Sequence, residues 1–252
     1  MDYVLLVAWC FIVALAGGLV GLVLGNLRLP VVLLLAPSAA AGAGSNVGIS
    51  AVAAATASVA HVRAGRVNWR LFGWMAPPTV VGALAGGYLS GVVPGDVLLL
   101  AIAAVLYYSA LELLGWSPLP ARRRRQPSGD SRLNIPAAVV VGFVIGVLGG
   151  FVGLILGSLR LPALLRVVGE TPARAIGTNV TVGFCLGVAG VIGHLSSEAP
   201  DWKLLALGGA ASIPGAALGA RLTGRLSESQ LLKAVAYVLL VAATAMVVEA
   251  LA

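Results

Sequence analysis

Residues 17–30 read GGLVGLVLGNLRLP and residues 149–162 read GGFVGLILGSLRLP, identical at eleven of fourteen positions across a spacing of 132. At a spacing of 133 the match continues. Ser45-Asn46-Val47 falls on Thr178-Asn179-Val180, His61 on His194, and Asn68-Trp69-Arg70 on Asp201-Trp202-Lys203. Gly82 and Gly86 fall on Gly215 and Gly219. The chain therefore reads as a first repeat (residues 1–115), a linker (116–135) and a second repeat (136–252).

The surroundings of these stretches decide the solvent. The 252 residues are 60% hydrophobic and 10% charged, with a mean hydropathy of +1.02; a soluble domain is nearer a quarter charged. Apolar blocks at 3–24, 97–114, 136–156 and 234–248 have the length or near-length of a bilayer crossing as helix. Shorter ones at 47–62, 71–93, 176–195 and 204–220 supply the remaining spans. The blocks are continuous rather than alternating with period two, which excludes a β-barrel. The expected fold is an all-α polytopic membrane protein. Residues 3–24 have no basic leader, and part of the block is duplicated inside the chain, so it reads as a retained first span rather than a signal peptide.

Net charge is +7. The run Arg122–Arg125 has no interleaved aromatics and sits in a Pro/Ser/Gly linker, so it reads as a cytoplasmic topology anchor beside the lipid head groups, not as a nucleic-acid surface. Loop charge then chooses between two layouts. If each repeat has four crossings, Lys and Arg divide almost evenly between the faces. If residues 30–43 and 162–175 also cross, each repeat has five crossings and the second is inverted. Only Arg160, Arg166 and Lys203 then lie on the face opposite the linker. Positive-inside bias predicts the second layout, with ten crossings in an inner, plasma membrane. The loop at 61–70 carries three arginines, whereas its counterpart at 194–203 carries Glu198 and Asp201 against Lys203.

Two interruptions recur in the apolar blocks. One is 25–30 with 157–162, where proline is expected to end the preceding helix. The other is 42–50 (GAGSNVGIS) with 175–183 (AIGTNVTVG). Here Gly44-Ser45-Asn46 and Gly177-Thr178-Asn179 resemble helix starts with Ser45 and Thr178 as N-caps. Irregular backbone at membrane depth needs shielding by protein or by a watery cavity, and helix N-termini suit anions. These six residues are the candidate substrate-binding set, expected to face one another near the midplane. Such broken helices, paired by an inverted repeat, are a recurrent architecture of secondary transporters.

A glycine-rich first span with a Leu-Pro turn, a short apolar helix, a Gly-Ser/Thr-Asn start and a loop ending in Asn/Asp-Trp-Arg/Lys, all twice, resembles the TauE/SafE sulfite exporter (TSUP) family. The resemblance covers residues 13–248. It implies export of sulfite, an organosulfonate or a related organic acid, with an uncoupled anion channel of the same fold as the alternative.

Other residues have two readings each. Arg28 and Arg160 suit an oxyanion as planar guanidinium forks and are candidate gates; alternatively they snorkel to the interface and anchor span ends. His61 and His194 are candidates to carry a coupling proton or simply end their helices. Trp69 and Trp202, with Trp9, Trp74 and Trp116, read as an aromatic belt. Cys10 and Cys185 read as small buried residues. Glycines at four-residue spacing (17, 21, 25; 149, 153, 157; 82, 86; 215, 219) read as close helix contacts. No zinc-protease or nucleophile-elbow motif is present, so an enzyme is not expected. The sequence calls for no cofactor and no metal. It leaves open whether copies of the chain associate.

Overall fold

The computed structural model describes residues 2–20, 23–115, 133–196 and 198–222, with scattered helical positions between 237 and 251. Most of the basic linker with Trp116, together with Gly21, lies outside the described residues. All regular structure among the described residues is helical: α1 (Asp2–Val20), α2 (Gly25–Leu35), α3 (Ala39–Arg63), α4 (Trp69–Ser90), α5 (Gly95–Leu113), α6 (Ile135–Val152), α7 (Gly157–Ala163) running into a π-helical turn (Leu164–Val168), α8 (Pro172–Leu195) and α9 (Trp202–Leu222). Three stretches among them are long and apolar enough to cross a bilayer by length and composition: Ala39–Arg63, Ile135–Val152 and Arg174–Leu195. Large apolar side chains such as Val4, Val140, Val144 and Ile192 point outward, and so do Trp69 and Trp202. That is how helices look when their solvent is hydrocarbon.

Helix starts differ from the sequence expectation. Ser38 caps α3, its hydroxyl accepting from the amide of Ala41 at 3.1 Å. The short helix thus ends at Leu35, and Ser45 lies two turns inside α3. Likewise α8 begins at Pro172, whose fixed φ suits a first turn, and Thr178 lies well inside it. Neither Ser45 nor Thr178 is an N-cap. The proline expectation is also corrected: Pro30 lies within α2 and Pro162 within α7. The break comes earlier. In the second repeat α6 stops at Gly153, which takes the left-handed φ of 71°. A Cβ on that residue would stand 2.5 Å from Ala43 Cα, so Gly153 is a turn residue at a close approach, not one step of a helix-packing stripe.

Contacts along α3 and α8 fix their direction. A Cβ on Gly44 would meet His194, one on Gly190 would meet Val47, one on Gly187 would meet Ala51, and one on Gly177 would meet Arg66. As one residue number rises the other falls, so the two helices run antiparallel. The sequence halves are interleaved around this pair. The most extensive packing joins α4 to α6 and α1 to α9. The same glycine device serves both contacts: a Cβ on Gly82 would stand 2.5 Å from the Phe143 carbonyl, and one on Gly215 would stand 2.5 Å from the Phe11 carbonyl. Hydrocarbon offers no hydrophobic drive between helices, so close backbone approach through small residues supplies the cohesion.

Candidate functional site

Each short helix carries its arginine into the interior. Arg28 is 1% exposed and Arg160 is 0% exposed, so neither snorkels. Arg28 donates from Nε to Asn46 Oδ1 at 3.0 Å and from a terminal nitrogen to Ser50 Oγ at 2.5 Å. Asn46 and Ser50 are one helical turn apart and present one face of α3. Arg160 donates to the carbonyl and Oδ1 of Asn179 at 3.3 and 3.4 Å and to the Ile155 carbonyl at 3.2 Å. Its Nε is buried and has no partner. Every hydrogen bond that either arginine makes to described residues goes to an uncharged group. A guanidinium in a low-dielectric interior without a counter-charge is costly, which makes each a place where an anion is welcome.

The asparagines join the arginines to the broken backbone. Asn46 Nδ2 donates to the Gly153 carbonyl at 2.8 Å, across to the other repeat, and Asn179 Nδ2 donates to the Gly157 carbonyl at 3.2 Å. Leu24 and Leu154 to Leu156, which flank the two breaks, belong to one buried cluster with Val47 and Val180. Leu156 adopts a left-handed φ of 51°, unusual for a residue with a γ-branched side chain. Leu24, its counterpart, has φ −86°.

Ser45 and Thr178 have a different task from the one expected. Ser45 Oγ accepts from the amide of Asp201 at 2.9 Å, and Thr178 Oγ1 accepts from the amide of Asn68 at 2.9 Å. Each pins the loop that opens α4 or α9 of the other repeat. Two carboxylates reinforce these contacts: Ser38 Oγ donates to Glu198 at 2.5 Å, and Asn68 Nδ2 donates to Glu170. The two Ser/Thr-Asn pairs do not face one another. Gly44 lies beside His194, sixteen residues and so about 24 Å of helix from Thr178. The antiparallel crossing carries them toward opposite ends.

A cavity of about 460 Å³ lies among α1, α2, α3 and α9. Arg28, Thr56, His61 and Arg63 give it polar groups; alanines and valines, Val180 of α8 among them, with Gly17 and Leu24 give the rest of its wall. Nδ1 of the half-buried His61 is enclosed with no hydrogen-bond partner. His194 is set differently: it is fully buried, with Nδ1 2.9 Å from Ser90 Oγ and Nε2 donating to the Gly150 carbonyl at 3.1 Å. Both histidines do end their helices. Trp9, read as a belt residue, instead donates to the Leu27 carbonyl at 2.9 Å, next to Arg28. The structure thus gathers Arg28 with Asn46, and Arg160 with Asn179, while His61 joins Arg28 along one cavity. Ser50 was missed by the sequence reading; its signal was the i, i+4 spacing from Asn46. The cavity itself left no signal.

The family described as Sulfite exporter TauE/SafE matches residues 6–246. A probable membrane transporter protein of Bacillus subtilis (strain 168), YdhB, is 25% identical over 69% of this chain and 71% of its own length. A probable membrane transporter protein of Xylella fastidiosa (strain 9a5c) is 28% identical over 85% of each chain. No solved structure matches significantly.

Proposed function

The chain belongs to the TauE/SafE sulfite exporter family of multi-pass membrane transporters, and from that premise we propose that it moves a small oxyanion such as sulfite, an organosulfonate or a related organic acid across an inner, plasma membrane by alternating access. The observation that carries this reading is Arg28: a buried guanidinium whose hydrogen-bond partners among the described residues are all neutral, lining a cavity large enough for such an anion. Its planar fork matches a sulfonate or carboxylate edge. Asn46 and Ser50 hold the fork in place, while Ser45 and Thr178 fix the loops at the two ends of the α3–α8 pair. We assign His61, at the cavity wall, the coupling proton ahead of His194.

Inverted repeats, each of five crossings, are the arrangement we favour. Antiparallel α3 and α8, at equivalent sequence positions, support it, as does the matched pair of contacts Gly82–Phe143 and Gly215–Phe11. Because α4 packs on α6 and α1 on α9, the bodies that move against each other would each mix both sequence halves.

The test is uptake of sulfite into proteoliposomes under an imposed pH gradient, with Arg28→Gln beside the native chain. Accumulation against the sulfite gradient that is lost in the variant is the expected result. Sulfite flux that never exceeds equilibration identifies the channel alternative, and flux independent of Arg28 removes the site.

A further inference from the structure

The cavity beside Arg28 has a counterpart elsewhere in the fold. Its walls map by the sequence repeat onto second-repeat positions that are packed shut. Val13 and Gly17 of the cavity correspond to Ile145 and Gly149, Thr56 and Ala57 to Ala189 and Gly190, and His61 to His194. Ala216 and Ala217 of α9 correspond to Ala83 and Leu84 of α4. In the first set these residues surround space. Val13 and Gly17 are buried like Ile145 and Gly149, but Thr56, Ala57 and His61 are half-buried where Ala189, Gly190 and His194 are buried. A Cβ on Gly149 would stand 3.1 Å from Leu186, one on Gly190 would stand 3.2 Å from Val47, and one on Gly193 would stand 2.5 Å from the Leu84 carbonyl. The same four helix positions thus enclose a cavity in one copy and close on themselves in the other.

We propose that this closed region is a second anion site, built on Arg160 and opening at the membrane face opposite the first. It rests on the anion-transport reading above and deepens it. Three observations support it beyond the comparison of cavity walls. Arg160 has a buried Nε with no partner, so the guanidinium is incompletely satisfied as packed. Leu156, which holds the neighbouring Ile155 carbonyl against Arg160, sits in a left-handed conformation that its counterpart Leu24 does not share; strain of this kind concentrates where a segment has a second state. The mouths also lie at opposite ends. His61 ends α3 and His194 ends α8, and the two helices are antiparallel. The ligand is the same class of small oxyanion, taken by the same fork once the Ile155 carbonyl lets go. Sulfite and organosulfonate share that chemistry.

The experiment uses the full chain in oriented vesicles with Cys10 and Cys185 replaced by alanine. A single cysteine is placed at Thr56 or Ala189 and labelled with a membrane-impermeant thiol reagent. Thr56→Cys reacts from one face, and Ala189→Cys is slow. A wedge in the first cavity, Ala57→Trp, should raise Ala189→Cys labelling at least tenfold, from the opposite face. Sulfite should then protect Ala189→Cys, and adding Arg160→Gln should abolish that protection. Ala217→Trp fills the same cavity from α9 and repeats the measurement should the first wedge not fold. Ala189→Cys labelling that stays at its unwedged rate with both wedges, or rises from the same face as Thr56→Cys, overturns the second site. So does labelling that sulfite does not slow. Arg28-dependent sulfite binding in the unwedged protein would then leave the transport reading standing, whereas binding indifferent to Arg28→Gln would bring down that reading itself.

Discussion

Arg28 and Arg160 occupy the same place in two nearly identical stretches, yet one borders a cavity and the other is closed in by a carbonyl. The surroundings differ at few positions. Ser50 receives a terminal nitrogen of Arg28; its counterpart is Gly183, which has no side chain to offer. Arg160 turns instead to the Ile155 carbonyl, presented by the left-handed Leu156. A substitution on the long helix, a flipped backbone residue and the asparagine's partner (Gly153 of the other half for Asn46, Gly157 of its own half for Asn179) separate the two settings. The lesson is that a unit matched twice in sequence need not hold one conformation twice. Its scaffold contacts are the same in both copies, and the freedom lies at the short helices, where few backbone bonds tie the chain down.

The largest effect should come from sidedness. Arg66 and Ala199 are equivalent, exposed positions in the two loops that open α4 and α9. Arg66→Cys and Ala199→Cys, each in a background free of other cysteines, are expected to label from opposite faces, all or none. Labelling of both from one face would make the copies parallel and end the comparison at its root.

Next is the shared scaffold. Gly82→Leu and Gly215→Leu each drive a side chain into a backbone carbonyl of the partner helix. Each is expected to cost about 3 kcal/mol, as severe overpacking does, read as a fall in thermal midpoint by tryptophan fluorescence in detergent. Gly73→Leu, where nothing lies within 4 Å, is the control. Unequal losses at Gly82 and Gly215 would show that the two helix pairs are not equivalent supports.

The comparison is sharpest at the arginines. By calorimetry, Arg28→Gln should weaken sulfite binding by about 100-fold, the scale of a lost charge-assisted bidentate contact. Arg160→Gln should change binding by no more than about 3-fold while abolishing transport in vesicles. Equal effects of the two variants on binding would mean that both arginines meet the anion in one state.

Much of this was legible in the chain. The helical membrane class follows from the apolar blocks, and the family from the matching stretches 17–30 and 149–162, whose two arginines are both buried. Helix boundaries were not legible. Gly44-Ser45-Asn46 has the residue types of an N-terminus, but Ser38 caps α3 first, and a helix once begun continues through glycine when its neighbours press on it. For Arg28 an interfacial anchor stood beside the gate as a reading, because snorkelling is the common fate of a lone arginine near a span end. What overrode it was a pair of polar groups one turn apart on α3; their i, i+4 spacing is in the sequence, but that the arginine meets them is decided by tertiary packing. The difference between an open and a closed copy was invisible for a further reason: it turns on a few small replacements, Ser50 against Gly183 and Thr56 against Ala189, whose effect is decided by packing.

The smallest expected effect tests that last point. Ser50→Ala removes the one hydroxyl that distinguishes the Arg28 setting and leaves Asn46 as its anchor on α3. A hydrogen bond to a charged group is worth about 1 to 2 kcal/mol net. Part of that is recovered when water or the anion takes over the freed donor, so sulfite affinity should fall by about 5-fold. If the first copy then behaved like the second, Thr56→Cys would also lose reactivity, because Arg28 would swing to the Val23 carbonyl as Arg160 does to Ile155. Loss of affinity with Thr56→Cys still reactive would assign Ser50 to the anion alone. Loss of both would make that hydroxyl the prop that keeps the first cavity open.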